Sequence, residues 1–237
     1  MNRFAGTPLY RYPHPLREVM HRYRTHLKTM RDFWLVITLP TLVFLGAVAT
    51  TYLAISFSSS RISNSVTDII LSNTPVFDVD GIYVYGLVCL ILFITFLCLV
   101  HPKHTPFTLY SLSLFMVIRS FFVILTHLAP YPIAASPDFG ATTTKIFFGG
   151  DFFFSGHVGS PFLMALLYWR DALLRYTFLI WSVFFAAVVL LGHLHYSIDV
   201  FAAFFITYTI YHMALYFFPY AHELFNTETP TQTIEIV

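Results

Sequence analysis

The sequence predicts an all-α integral membrane protein, a bundle of six transmembrane helices, and three observations predict it. Of 237 residues, 57% are hydrophobic and 11% charged, a balance outside the range of soluble domains. Mean hydropathy is +0.70. Apolar runs near the roughly 20 residues that span a bilayer recur six times along the chain. The formal net charge of +1 speaks against nucleic acid as a partner. Membrane lipid is the partner that the composition implies. The 27 Phe residues suit lipid-facing surfaces and lipid pockets, and aromatic core packing equally.

Residues 1–32 make the first segment. Leu16, Val19, Met20, Tyr23, Leu27 and Met30 recur at three- and four-residue steps, with Arg17, Arg22, Arg24, Lys28 and Arg31 between them. A basic amphipathic helix on the cytosolic membrane surface has this pattern; so does a solvated helix packed on the bundle. No apolar core of signal-peptide type is present there. Residues 33–218 make the six-helix transmembrane domain, with spans near 33–57, 81–100, 107–129, 155–169, 173–191 and 196–218. The fourth is short; either the aromatic run 152–154 extends it, or its outer end lies below the membrane surface. Residues 219–237 read as a polar cytosolic tail. Cys89 and Cys98 share one span and lie too far apart on a helix to bridge.

Basic residues set the orientation. Arg3, Arg11, Arg17, Arg22, Arg24, Lys28 and Arg31 precede the first span, Lys103 lies between the second and third, and Arg170 and Arg175 between the fourth and fifth. The loops on the other side hold only Arg61 and Lys145. Both termini are therefore expected in the cytosol. The starts of the fourth and sixth spans then face the periplasm, lumen or exterior, and each carries a histidine motif.

In "HYSID", His195 and Asp199 stand four apart, on one face of a helix. A carboxylate so placed holds one imidazole nitrogen and raises the basicity of the other. A pair of interfacial polar residues is the plainer reading, but ionisable groups at the edge of a span are costly and tend to be functional. In "SGH", Ser155 suits an N-cap, Gly156 lets backbone approach a ligand, and His157 falls in the first helical turn, whose amides favour an anion. Arg119 lies inside the third span. It reads either as a phosphate clamp or as the structural partner of a buried carboxylate.

Together, "GGDFFFSGHVG" and "GHLHYSIDV" resemble the two catalytic motifs of sphingomyelin synthases and ceramide phosphoethanolamine synthases, a group within the type 2 phosphatidic acid phosphatase (PAP2) superfamily. "IRSFFVILTHLAPYP" is similar to the family's Arg-containing third-span segment. The chain is compact, as a bacterial-type member would be. The resemblance implies that His195 is the nucleophile, that Asp199 orients it, and that His157 is the general acid. Arg119, Ser155 and Gly156 then bind the substrate phosphate, with Asp151, His193 and Tyr196 as supporting positions. The Lys/Arg-rich first motif of lipid phosphatases is missing, and Val189 stands where they carry an arginine.

The implied activity moves a phosphoryl headgroup from a glycerophospholipid donor to a lipid alcohol acceptor, of ceramide or diacylglycerol type, through a phosphohistidine. The alternative is a phospholipase C-like or lipid phosphate phosphatase hydrolase, with water as acceptor at the same site. A lipid-binding or scrambling protein and a channel are further readings. The first conflicts with the intact His157, His195 and Asp199 set. The second conflicts with the clustering of ionisable groups at one end. No metal or other cofactor is expected, because no third or fourth ligand stands at metal spacing. The oligomeric state stays open between monomer and homo-oligomer.

Overall fold

The computed structural model describes residues 33–132 and 153–226. The basic segment 1–32, the stretch 133–152 with Asp151, and residues 227–237 lie outside the described residues. The fold is all-helical: α1 (Phe33–Ser59), α2 (Asp80–Val100), α3 (Thr105–Leu125), α4 (Gly156–Leu167), α5 (Ala172–Leu191), α6 (Ser197–Phe217) and α7 (Pro219–Asn226), with a 3₁₀ turn at Leu71–Asn73. Among the described residues there is no strand.

Among the described residues, five helices are long and apolar enough to cross a membrane: Val36–Ser59 within α1, then α2, α3, α5 and α6. The fourth expected span yields α4, which has 12 residues. At about 1.5 Å per residue it falls short of the roughly 30 Å hydrocarbon layer. Its surroundings explain why it need not span. Val158, Leu163, Met164 and Ala165 are wholly buried, because α4 sits at the centre of the bundle, packed on α5, α6 and α3. Gly159 permits this contact: a Cβ there would lie 2.7 Å from the Phe115 ring and 2.8 Å from Thr207 Oγ1. Ser182 Oγ on α5 donates to the Val158 carbonyl at 2.8 Å. Pro161 lies inside α4 and has no N–H to offer the carbonyl of His157.

The outer helices turn apolar side chains outward, as lipid contact requires. Leu42, Leu45 and Leu53 on α1, and Tyr85 and Leu92 on α2, are exposed. α1 docks on α3, where Thr51 Oγ1 and Ser120 Oγ share a hydrogen bond of 3.1 Å. α3 stops at Leu125, four residues before the expected end of its span. The chain beyond it turns to meet the α1–α2 loop: the Ser63 N–H donates to the His127 carbonyl at 2.7 Å, and the Ala129 N–H to the Asn64 carbonyl at 3.4 Å. The segment read as a polar tail begins with α7, which buries Ala221 and Phe225.

Candidate active site

The two histidine motifs meet at one end of the bundle. The Ser155 N–H, at the start of α4, donates to the Asp199 carbonyl in the first turn of α6 at 3.1 Å. One backbone bond thus fixes both helix starts against each other, with His157 in the first turn of α4 and His195 two residues before α6.

On the α6 side, Asp199 is at the third helical position and fully buried. Its Oδ2 accepts from the Tyr196 N–H at 3.1 Å and lies 3.3 Å from His195 Nδ1. The helix N-terminus favours the negative charge. With Nδ1–H donating to the carboxylate, the imidazole lone pair is on Nε2. His195 is itself 1% exposed, so Asp199 holds its plane and tautomer. The i,i+4 spacing does bring the two side chains together, but at the start of α6 rather than on one helical face, because His195 precedes the helix.

On the α4 side, His157 is 6% exposed. Its ring stacks on Tyr83 of α2 with centroids 3.8 Å apart, and Phe185 of α5 meets it edge-on at 5.5 Å. Two aromatic rings therefore set its orientation. Ser155 takes the N-cap position of α4 with extended backbone, but its hydroxyl makes no cap bond. Ser155 Oγ is wholly buried and, like Asp199 Oδ1, has no hydrogen-bond partner among the described residues. Buried polar atoms of this kind need an occupant, a water or a ligand oxygen.

Arg119 joins α3 to this point. Its Nε donates to the Phe154 carbonyl at 3.1 Å. A Cβ on Gly156 would lie 3.2 Å from Nε and 3.4 Å from Cζ, so the glycine leaves the guanidinium room beside the start of α4. The turn it holds is unusual: Phe153 and Phe154 have φ of 134° and 24°, a costly region for bulky residues. Phe154 is anchored by Phe115, edge-on at 5.4 Å. Part of what Arg119 does is therefore structural, though its partner in that role is a backbone carbonyl of the motif.

His193 and Tyr196 act as struts. His193 adopts φ 52° and its Nε2 lies 3.3 Å from Thr74 Oγ1. The Tyr196 hydroxyl donates to the Ala129 carbonyl at 2.8 Å and accepts from the Val66 N–H at 3.3 Å. Tyr131 packs edge-on against His193 and shares a 2.9 Å hydrogen bond with Ser72. Asp151 lies outside the described residues. Among those described, no group of three or more His, Cys, Asp or Glu side chains is placed to hold a metal ion.

Two residues at the site escape a reading from motifs. Tyr83 follows Asp80 by three positions, and nothing in "DGIYV" marks it as a histidine's neighbour. Asp68 stands in the α1–α2 loop, two and three residues ahead of the amides it binds, the spacing of an Asx-type turn. Its Oδ1 accepts from the Ile70 and Leu71 N–H groups at 2.9 and 3.1 Å, and its Oδ2 accepts from the Ser197 N–H at 2.7 Å. Burial pushes this carboxyl up, and the hydrogen bonds from Ser197, Leu71 and Ile70 outweigh it and hold it below its ordinary 3.8.

Residues 149–216 match the family described as PAP2 superfamily C-terminal, a stretch that contains both histidine motifs. Over that stretch the chain is similar to the PAP2 superfamily, a similarity that suggests phosphatase or phosphotransferase activity on lipid-like substrates. No curated protein and no solved structure matches the chain at a significant level.

Proposed function

We propose that the chain is a membrane lipid phosphotransferase of the sphingomyelin synthase type. It moves a phosphoryl headgroup from a glycerophospholipid to a lipid alcohol. The observation that carries this reading is the Ser155–Asp199 backbone bond. It brings the helix start bearing His157 against the one bearing the His195–Asp199 pair.

In the first step His195 Nε2 attacks the phosphorus. The bond from phosphorus to the glycerol oxygen breaks, and His157 gives that oxygen a proton, releasing diacylglycerol. In the second step the acceptor hydroxyl attacks the phosphohistidine and passes its proton to His157, and His195 leaves with its electron pair. Asp199 holds Nδ1–H throughout and stabilises the positive charge that His195 gains. Acid–base help of this kind contributes typically ~10² to 10⁴-fold. Arg119, the α4 amides and Ser155 Oγ supply the positive field and donors for the phosphate oxygens. On this reading both termini are cytosolic and the site faces the periplasm, lumen or exterior.

The experiment is lipid analysis after incubating purified protein with mixed glycerophospholipids and either ceramide or diacylglycerol. A new headgroup-bearing acceptor lipid supports transfer. Diacylglycerol released with free phosphorylated headgroup, or free phosphate from a phosphate monoester, shows water as the acceptor and makes the protein a hydrolase.

A further inference from the structure

The α1–α2 loop makes more contact with the catalytic helix start than a connection needs. Asp68 binds the Ser197 N–H, Thr74 meets His193, and the Val66 N–H meets the Tyr196 hydroxyl. All three partners belong to the short stretch that carries His195 from α5 into α6. That stretch includes the left-handed backbone of His193, a conformation that persists only where its surroundings over-determine it. Ser197 is the first residue of α6, so its N–H is one of the amides that a helix cannot satisfy itself. A carboxylate at that position fits the helix field.

We infer that Asp68 is a positioning residue of the active site. Its carboxylate, fixed by the Ile70 and Leu71 amides, clamps the first amide of α6 and thereby sets His195 against Asp199. The chain of contacts is short. Asp199 Oδ2 binds both His195 and the Tyr196 N–H. A shift of the Tyr196–Ser197 peptide therefore moves the imidazole relative to its carboxylate. Misplacement of a reacting group by about 1 Å costs roughly 10²-fold in rate. The inference rests on the catalytic reading above.

Two variants of the full chain, purified in detergent, remove the contact from opposite sides. Asp68→Asn takes away the charge and one acceptor oxygen. Ser197→Pro takes away both Ser197 donors to Asp68, the N–H and the hydroxyl. Tyr196 already has φ −68° and ψ 154°, as a residue before proline must, and the first helical position accepts proline without losing an intrahelical bond. With a short-chain glycerophospholipid as donor, both variants should fold and lose about 10- to 100-fold in kcat, while KM stays within about twofold. The titration of His195, followed by NMR of labelled histidine and assigned with His195→Ala, should move in both. Asp78→Asn, an exposed acid in the same loop, should change none of these. Wild-type kcat with an unmoved His195 titration in folded Ser197→Pro overturns the inference. Failure of both variants to fold also overturns it, by making Asp68 part of the scaffold alone. The titration separates this from the catalytic reading: undiminished turnover in His195→Ala ends that reading, while His195 moving or not moving in Ser197→Pro still decides the role of Asp68.

Discussion

At the site end of the bundle, polar contacts from the α1–α2 loop, the chain after α3 and the start of α4 converge on residues 193–199. At the far end, rings converge on His104. There the imidazole stacks on Phe225 of α7 at 4.2 Å and on His101 at 5.1 Å, and meets Tyr168 edge-on at 5.5 Å. His104 Nδ1 is buried and has no hydrogen-bond partner among the described residues. Both ends bury histidine, but they treat it differently. Asp199 Oδ2 lies 3.3 Å from His195 Nδ1, a contact that orients the ring. Packing keeps His104 neutral: burial pushes it down to about 4, and His101 and Lys103 add to the effect. On the proposed mechanism, what sets the reacting histidine apart from the packed one is the carboxylate beside it.

The comparison is broken most sharply at the dyad. His195→Ala should lower turnover by about 10⁴-fold or more with its melting temperature unchanged, and Asp199→Asn should cost about 10³- to 10⁴-fold. Assays on detergent-purified protein check both. Undiminished turnover in folded His195→Ala would remove the distinction between the two ends.

A smaller loss is expected at Arg119. Arg119→Lys keeps the charge but loses the planar donor set and the Nε bond to the Phe154 carbonyl. Turnover should fall by about 10²- to 10³-fold, with most of the thermal stability kept. Early melting with normal activity per folded molecule would assign Arg119 to the scaffold.

Two glycines of α4 separate chemistry from packing. Gly156→Ala presses a methyl against the Arg119 guanidinium, whose nearest atom is 3.2 Å away. Its main expected effect is a fall in kcat. Gly159→Ala meets Phe115 at 2.7 Å and Thr207 at 2.8 Å. It should destabilise by about 1–3 kcal/mol and leave activity per folded molecule close to normal. Melting curves and kcat on the same samples read both effects.

The smallest effect is a dependence on pH at the far end. His104 titrates near 6.5 when unfolded and at about 4 when folded. Between these values the unfolded chain binds the extra proton, so stability falls as pH drops from about 6.5 towards 4. His104→Phe should flatten that part of the stability profile. Asp68 acts in a separate window. Its folded value lies below 3.8, so its contribution is present above that pH and is lost as pH falls below it.

The sequence reading was strongest where local spacing dictates geometry. The closeness of His195 and Asp199 was legible from their spacing, although His195 stands two residues before α6 and meets the carboxylate at the helix start rather than along one helical face; Ser155 at the start of α4 follows from N-cap preference, although its hydroxyl does not cap. The reading was weakest where the structure depends on which helix lies at the centre. Hydropathy does not distinguish a helix bathed in lipid from one surrounded by other helices. It therefore gave no sign, beyond a short fourth run, that α4, at 12 residues, would be shorter than the helices around it. The end of the third span failed for a related reason: Leu128 and Ala129 extend the apolar run past Thr126 and His127, yet the His127 carbonyl and the Ala129 amide bond to the α1–α2 loop instead of continuing a helix. Asp68 and Tyr83 were illegible because their partners are far along the chain, and only tertiary contact reveals them. Asp171, by contrast, caps α5 through the Leu174 N–H at 3.0 Å, a local contact of the kind a sequence does disclose.

The central claim is that His157 and His195 serve one phosphorus, with His195 as the nucleophile. It is tested most directly by rapid acid-free quenching of the purified protein during turnover of a radiolabelled-headgroup glycerophospholipid, followed by mass spectrometry of the peptides. The account predicts a phosphoryl-headgroup adduct on His195, absent in His195→Ala, whose removal by acceptor slows when His157 is replaced. An adduct on any other residue, or steady turnover in a protein that never carries one on His195, would contradict it.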